Sequence, residues 1–141
     1  SELAVRPGGV VILVTPSPEG VARHHPAVLE HGVQQVADLQ RLVERGEIKD
    51  IVAAAILALT SWVVKERATG IMVSPGIPAE DKDRLAFVHA ETPQAALELA
   101  LQRVGDGARV AVLHHGGEIL PLVPAEAEAE AWERERAAAP Q

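Results

Sequence analysis

Hydrophobic and polar positions along this chain fall into blocks that predict strands and helices in turn. The continuous apolar run Val10–Val14 is typical of a strand buried on both faces, as in a parallel sheet. A polar, proline-containing break from Thr15 to Gly20 follows it. Later apolar runs predict three further strands, at Ile71–Val73, Phe87–His89 and Ala108–Leu113.

The segments between these strands have helical spacing and helix-end signals. Residues 32–44 carry one apolar face, and Gly46 stops that helix. Asp50 is a cap for a helix from Ile51 to about Arg67, which is apolar all round in its first turns and is therefore expected to be the most buried helix. Residues 78–85 predict a polar helix, and residues 92–105 a helix with an N-terminal Thr-Pro. The predicted core is Val11, Leu13, Ile51, Ile56, Leu59, Val63, Leu97 and Val112.

Strands that alternate with helices predict an α/β fold. We expect a single domain over residues 1–123, with βα repeats, a mainly parallel sheet of about four strands and helices on both faces. Residues 119–123 predict an added edge strand, because Pro121 excludes them from a sheet centre. Residues 124–141 form an acidic Ala/Glu/Arg tail, either helical or frayed.

The polar residues that follow the predicted strands are the candidate site. Ligands of parallel sheets bind beyond the carboxyl ends of the strands. Hydroxyl groups, one carboxylate and one imidazole occur there, and each also fits an ordinary solvated loop. The candidate substrate-binding residues are Thr15, Ser17, Glu19, Ser74 and His114. No catalytic residue is assigned.

Composition narrows the function classes. The net charge of −7 argues against a nucleic-acid or anionic-membrane partner. The chain has no cysteine, which excludes disulfides and thiolate chemistry and fits a cytoplasmic protein. The histidine pairs His24-His25 and His114-His115 lack the spacing of a zinc motif, so no metal site or cofactor is expected in this chain alone.

Several degenerate stretches gain specificity from their order and spacing: Arg6–Thr15, Glu19-Gly20, Gly46–Asp50, Ile71–Ser74, Thr92–Leu97, Val110–Leu113 and Gly116–Pro121. Together they resemble the C-terminal domain of the nickel-dependent lactate racemase (LarA-like) family, from about Ala4 to Val123.

The resemblance implies a domain that closes the cleft and helps to hold substrate in a racemase or epimerase of 2-hydroxy acids. It also implies a missing N-terminal domain of the same chain as partner, and a nickel pincer nucleotide in that parent protein. Val52 stands where lactate racemases tend to carry a tryptophan, so the substrate stays open among small hydroxy acids. The alternative is a stand-alone α/β module that binds a small anion or regulates another protein.

Overall fold

The computed structural model describes residues 4–119 and 121. The elements are β1 Val10–Val14, α1 Ala27–His31, α2 Val36–Glu44, α3 Ile51–Ser61, a π-helical segment Trp62–Arg67, β2 Thr69–Val73, α4 Ala79–Arg84, β3 Phe87–His89 and α5 Pro93–Val104. Within these residues, no helix is both long and apolar enough to cross a membrane. The predicted tail, residues 124–141, lies outside the described residues, and so does most of the predicted edge strand.

The strands form a parallel sheet in the order β1-β2-β3, so the predicted α/β class is confirmed. The register places Ile12 beside Ile71 and Ile71 beside Val88. Long helical connections join successive strands, as parallel pairing requires. The carboxyl ends of all three strands therefore lie at one edge of the sheet.

The described sheet has three strands rather than about four. Residues 108–113 form no strand, and Val112, predicted to lie in the core, is 73% exposed. Parallel strands are normally covered on both faces, and no helix follows this run within the described residues to cover it. The short apolar run predicted a strand, but the local pattern contains no information about whether a helix packs on the faces of that strand.

Apolar clusters lie on both faces of the sheet. Ile71 and Val73 of β2 pack with Ala96 and Ala100 of α5 on one face. The opposite face of β2 meets the π-helical segment, because Val64 closely approaches Gly70. The larger cluster continues outward on that side and joins α1 to α4 through Val28, Val33, Leu39, Ile48, Ala53, Leu57 and Leu85. Helices on both faces are thus present, as the sequence predicts.

Helix α3 differs most from its predicted burial. Asp50 caps it as expected, accepting hydrogen bonds from the backbone N–H groups of Val52 and Ala53. Ala53 and Leu57 are fully buried, but Ile51 is 84% and Leu59 66% exposed. Helix α3 has more buried residues than any other described helix, but it is not buried all round, because only one side of it faces α1 and α2.

Among the other predicted core residues, Leu13 is exposed. Val11, Ile56, Val63 and Leu97 are half-buried rather than central. Hydropathy identified these positions as apolar but did not give the direction in which each side chain points.

Candidate functional site

The loops after β1 and β2 meet at the carboxyl edge of the sheet. The N–H of Thr15 donates to Val73 O at 3.0 Å, and that of Gly76 donates to Pro16 O at 3.1 Å. A Cβ atom on Gly76 would lie 1.9 Å from Ser17 O, so the loops approach as closely as they do only because residue 76 is glycine. Thr15, Ser17 and Ser74 are therefore brought together at one rim, which we call the carboxyl rim.

The hydroxyl groups of the carboxyl rim are already engaged with one another and with backbone. Thr15 Oγ1 and Ser17 Oγ lie 3.2 Å apart. Ser74 is buried, and its Oγ donates to Pro16 O at 3.4 Å. The Ser74 hydroxyl therefore ties the two loops together, whereas Thr15 and Ser17 are half-buried and keep a more accessible pair of hydroxyls.

Two candidate residues stand apart from this pair. Glu19 is exposed in the turn that follows Pro18. His114 begins an exposed turn after residues 108–113, and no hydrogen bond joins it to the carboxyl rim in the described residues. A substrate-binding role for either residue remains a prediction.

A buried lysine is the polar residue of this rim that the sequence analysis missed. Lys82 of α4 is 1% exposed. Its Nζ donates to Ser74 O at 2.8 Å and lies 2.8 Å from Nδ1 of His89, at the end of β3. Lys82 of α4 therefore connects the carboxyl ends of β2 and β3. A lysine is almost never fully buried unless it is paired.

The hydrogen bonds continue from Lys82 through His89 to Glu91. His89 Nε2 lies 2.8 Å from Glu91 Oε1, and this contact lowers the pKa of the Glu91 carboxyl, with a further contribution from the charge of Lys82. An ionised carboxylate only accepts hydrogen bonds, so Nε2 carries the proton. With Lys82 as an ammonium group, Nδ1 of His89 then accepts from Nζ. The arrangement holds the imidazole in its Nε2–H form.

Helical spacing contained the signal that would have identified Lys82. Leu85, the C-cap residue of α4, follows Lys82 by three residues and belongs to the core. Residues at this spacing share a helix face, so Lys82 had to point inward with Leu85. The sequence analysis predicts only a polar helix over residues 78–85, and this description does not separate its inward from its outward positions.

A second ionic contact lies at the start of α3. His25 Nδ1 is 2.7 Å from Asp50 Oδ2, while Oδ1 of the same carboxylate caps the helix. The hydrogen bond from His25, followed by that from the Ala53 N–H, lowers the pKa of Asp50. This pair fastens the loop before α1 to the beginning of α3.

The described residues provide no ready metal site. Across residues 4–119 and 121, no group of three or more His, Asp or Glu side chains is placed to hold a metal ion. A shallow groove of about 500 Å³ runs along α4 and β3, with Lys65, Asp83, Phe87 and His89 among its lining residues. His89 thus belongs both to the carboxyl rim and to this groove.

Comparison with known proteins gives one informative similarity. No protein-family model and no curated protein sequence matches this chain. Among solved structures, the lactate racemase apoprotein from Thermoanaerobacterium thermosaccharolyticum superposes with a TM-score of 0.58 at 18% sequence identity. The two share a fold. The match covers 74% of this chain but 25% of the racemase, so the chain corresponds to about a quarter of that protein's length.

Proposed function

We propose that this chain is the C-terminal, cleft-closing and substrate-positioning domain of a LarA-like racemase or epimerase of 2-hydroxy acids. The observation that carries the proposal is the fold shared with lactate racemase over 74% of the chain. The order of sequence stretches that resemble the same family agrees with this fold. Because the match covers only a quarter of the racemase, the proposal includes a further N-terminal domain as partner.

The carboxyl rim suits a role in substrate positioning. Thr15 and Ser17 present hydroxyl groups, and His89 presents an N–H, all at the edge where parallel sheets bind ligands. Donors of these kinds bind the carboxylate and hydroxyl groups of a 2-hydroxy acid. The rim contains no nucleophile paired with a base within the described residues, which is why we assign it positioning rather than chemistry.

The exposed apolar side of α3 supports a partner domain. Ile51, Val52, Leu59 and Trp62 are all exposed, and their spacing places them along one side of the helix. Contiguous exposed apolar surface of this kind is typical of an interface. A domain packed on this side of α3 would bury these side chains.

The nickel pincer nucleotide implied by the resemblance does not fit the described part of this chain. Residues 4–119 and 121 place no group of three or more imidazole or carboxylate ligands together. The proposal therefore assigns any such cofactor to the partner domain and derives no step through it.

A second candidate is a stand-alone module that binds a small anion. The polar residues of the carboxyl rim favour this alternative, because one chain supplies all of them: Thr15, Ser17, Lys82 and His89. Under this alternative, a carboxylate binds the isolated chain and no turnover occurs with any partner domain.

Chiral chromatography of 2-hydroxy acids, combined with exchange of the C2 hydrogen in D₂O, tests the proposal. The chain alone should be inactive, and the full-length protein that contains it should interconvert the enantiomers or epimers of at least one 2-hydroxy acid. Thr15→Val should lower turnover without changing the melting temperature. Thr69→Val, an identical change at the amino end of β2, is the matched control and should leave turnover unchanged. A full-length protein inactive on every 2-hydroxy acid would overturn the proposal.

A further inference from the structure

The buried ammonium of Lys82 is more than a substitute for an apolar side chain. Removing a lysine from water is costly, and an apolar residue of similar volume often fills such a position at least as favourably. What the ammonium adds is direction: with Nδ1 of His89 as its acceptor, the proton of the imidazole must lie on Nε2. Lys82 is thus a positioning residue that makes His89 a fixed N–H donor.

We propose that His89 Nε2–H is a binding contact for the carboxylate of a small acid, and that Glu91 occupies this position as an internal ligand until the acid displaces it. The structure already shows a carboxylate on this donor, at 2.8 Å. The position of the Nε2–H donor follows from these contacts alone and does not depend on the proposed function. The choice of a small carboxylate as ligand, rather than another anion, rests on the proposed function.

The exposure of the two partners makes displacement feasible. The side chain of Glu91 is 85% exposed and that of His89 is 34% exposed. Ion pairs between exposed groups are weak, because water and salt screen them. In the described structure, Glu91 has no other hydrogen-bond partner, so it can swing away and leave the half-buried imidazole in place.

The surroundings of His89 provide room for an incoming acid. His89 lines the groove along α4 and β3, and the cationic residue Lys65 lines the same groove. Lys82, behind the ring, adds a positive charge that attracts an anion without contacting it. Asp83 also lines the groove, and its negative charge disfavours an anion close to it.

The first test is the tautomer of His89 in the 141-residue chain. Long-range ¹H–¹⁵N spectra of the imidazole should show a protonated Nε2 and an unprotonated Nδ1. Lys82→Met should populate both tautomers. Should that variant fail to fold, the wild-type spectrum still decides the point, because a protonated Nδ1 beside an unprotonated Nε2 would overturn the proposal.

The second test is a titration of the same chain with D-lactate and L-lactate, followed at the His89 ring. Glu91→Gln removes the internal carboxylate and should strengthen lactate binding about two- to fivefold, the shift expected when a weak exposed pair no longer competes. Glu80→Gln removes an equal charge from the exposed start of α4 and should change the affinity far less. His89→Asn keeps an acceptor for Lys82 but lacks the Nε2 donor, so it should abolish binding.

The outcomes separate this inference from the proposed function. Lactate binding at His89 in a protein that racemises nothing would support the inference and overturn the racemase proposal. Racemisation by a full-length protein whose His89→Asn variant keeps its KM would overturn the inference alone. Binding of inorganic phosphate without binding of lactate would overturn the assignment of a carboxylate ligand.

Discussion

Helices α3 and α5 have similar lengths and start signals but opposite outer surfaces. Both are capped by a side chain: Asp50 accepts from two backbone N–H groups of α3, and Thr92 accepts from the Ala95 N–H of α5. Away from the core, α5 exposes mainly polar residues such as Gln94, Glu98 and Gln102, and its exposed Leu99 and Val104 reach only 38% and 39%. Helix α3 exposes Ile51 and Leu59 instead. The outer side of α5 is mainly polar, whereas that of α3 is apolar, as the proposed interface with a partner domain requires.

The inner sides of the two helices also differ in kind. Helix α3 buries Leu57 and Ala53 in the cluster that it shares with α1 and α2, and Leu57 fills most of the volume. Helix α5 presents Ala96 and Ala100 to the sheet, which allows a close approach to Ile71 and Val73. The contact of α3 depends on a large side chain that fills space, and the contact of α5 depends on small side chains that leave space. Removing volume should therefore destabilise the first, and adding volume should destabilise the second.

The largest expected effect is on the inner side of α3. Leu57 is fully buried, so Leu57→Ala should lower the free energy of unfolding by about 2–5 kcal/mol, through lost burial and the cavity left behind. Leu59→Ala, the same change two residues later on the exposed side, should lower it by less than about 0.5 kcal/mol. Urea denaturation of both variants measures the difference. Equal losses would mean that α3 has no distinct inner and outer sides.

The corresponding change on α5 adds volume. Ala96 is fully buried against the sheet, so Ala96→Leu should lower the free energy of unfolding by about 1–3 kcal/mol through overpacking. Leu99→Gln, on the exposed side of α5, is the control and should be close to neutral. A neutral Ala96→Leu in the same denaturation assay would show that α5 does not lie tightly on β1 and β2.

The two caps should differ in their response to pH. The pKa of Asp50 is lowered below its usual value of 3.8, chiefly by the hydrogen bond from His25. A lowered pKa in the folded state stabilises the protein above 3.8, and this stabilisation is lost as the pH falls below 3.8 through the folded-state pKa. Asp50→Asn should therefore lower the melting temperature at pH 7 and have little effect in strong acid.

The cap of α5 is the control for this experiment, because a threonine does not titrate over this range. Thr92→Ala should cost about 1 kcal/mol at every pH at which the chain folds. Melting curves of both variants between pH 2 and pH 7 decide the point. A pH-independent deficit in Asp50→Asn would contradict the lowered pKa of Asp50 in the folded protein.

Local signals in the sequence predicted much of the fold, and nonlocal arrangements account for what they missed. The bounds of β1 and β3 and both helix caps were correct, because apolar runs and capping side chains act within a few residues. The strand predicted at residues 108–113 was wrong, because a parallel strand forms only where segments distant in the sequence pair with it and pack on its faces. The predicted burial of Ile51 and Leu59 on the outer side of α3 was wrong, because hydropathy measures how apolar a helix is and not which side of it faces the core.

The candidate site followed the same division. The rule about the carboxyl ends of parallel strands led to Thr15, Ser17 and Ser74, which the structure does bring together. Lys82 was missed because it lies inside a helix rather than at a strand end. Its partner His89 ends the predicted third strand but was not among the candidate binding residues.

The smallest expected effect on stability concerns the outer side of α3. This prediction tests whether the exposed apolar residues of α3 form an interface. Ile51 is 84% exposed, so replacing Ile51 and Leu59 together with serine should change the free energy of unfolding of the isolated chain by less than about 1 kcal/mol. The same pair should weaken association with a separately expressed N-terminal domain, because that association would bury both side chains. Gln102→Ser on α5 is the matched surface change and should alter neither quantity. Titration calorimetry measures the association, and urea denaturation measures the stability. If the double variant associates as tightly as the wild type, the apolar side of α3 is not the interface; if it unfolds the isolated chain, that side is not exposed in solution.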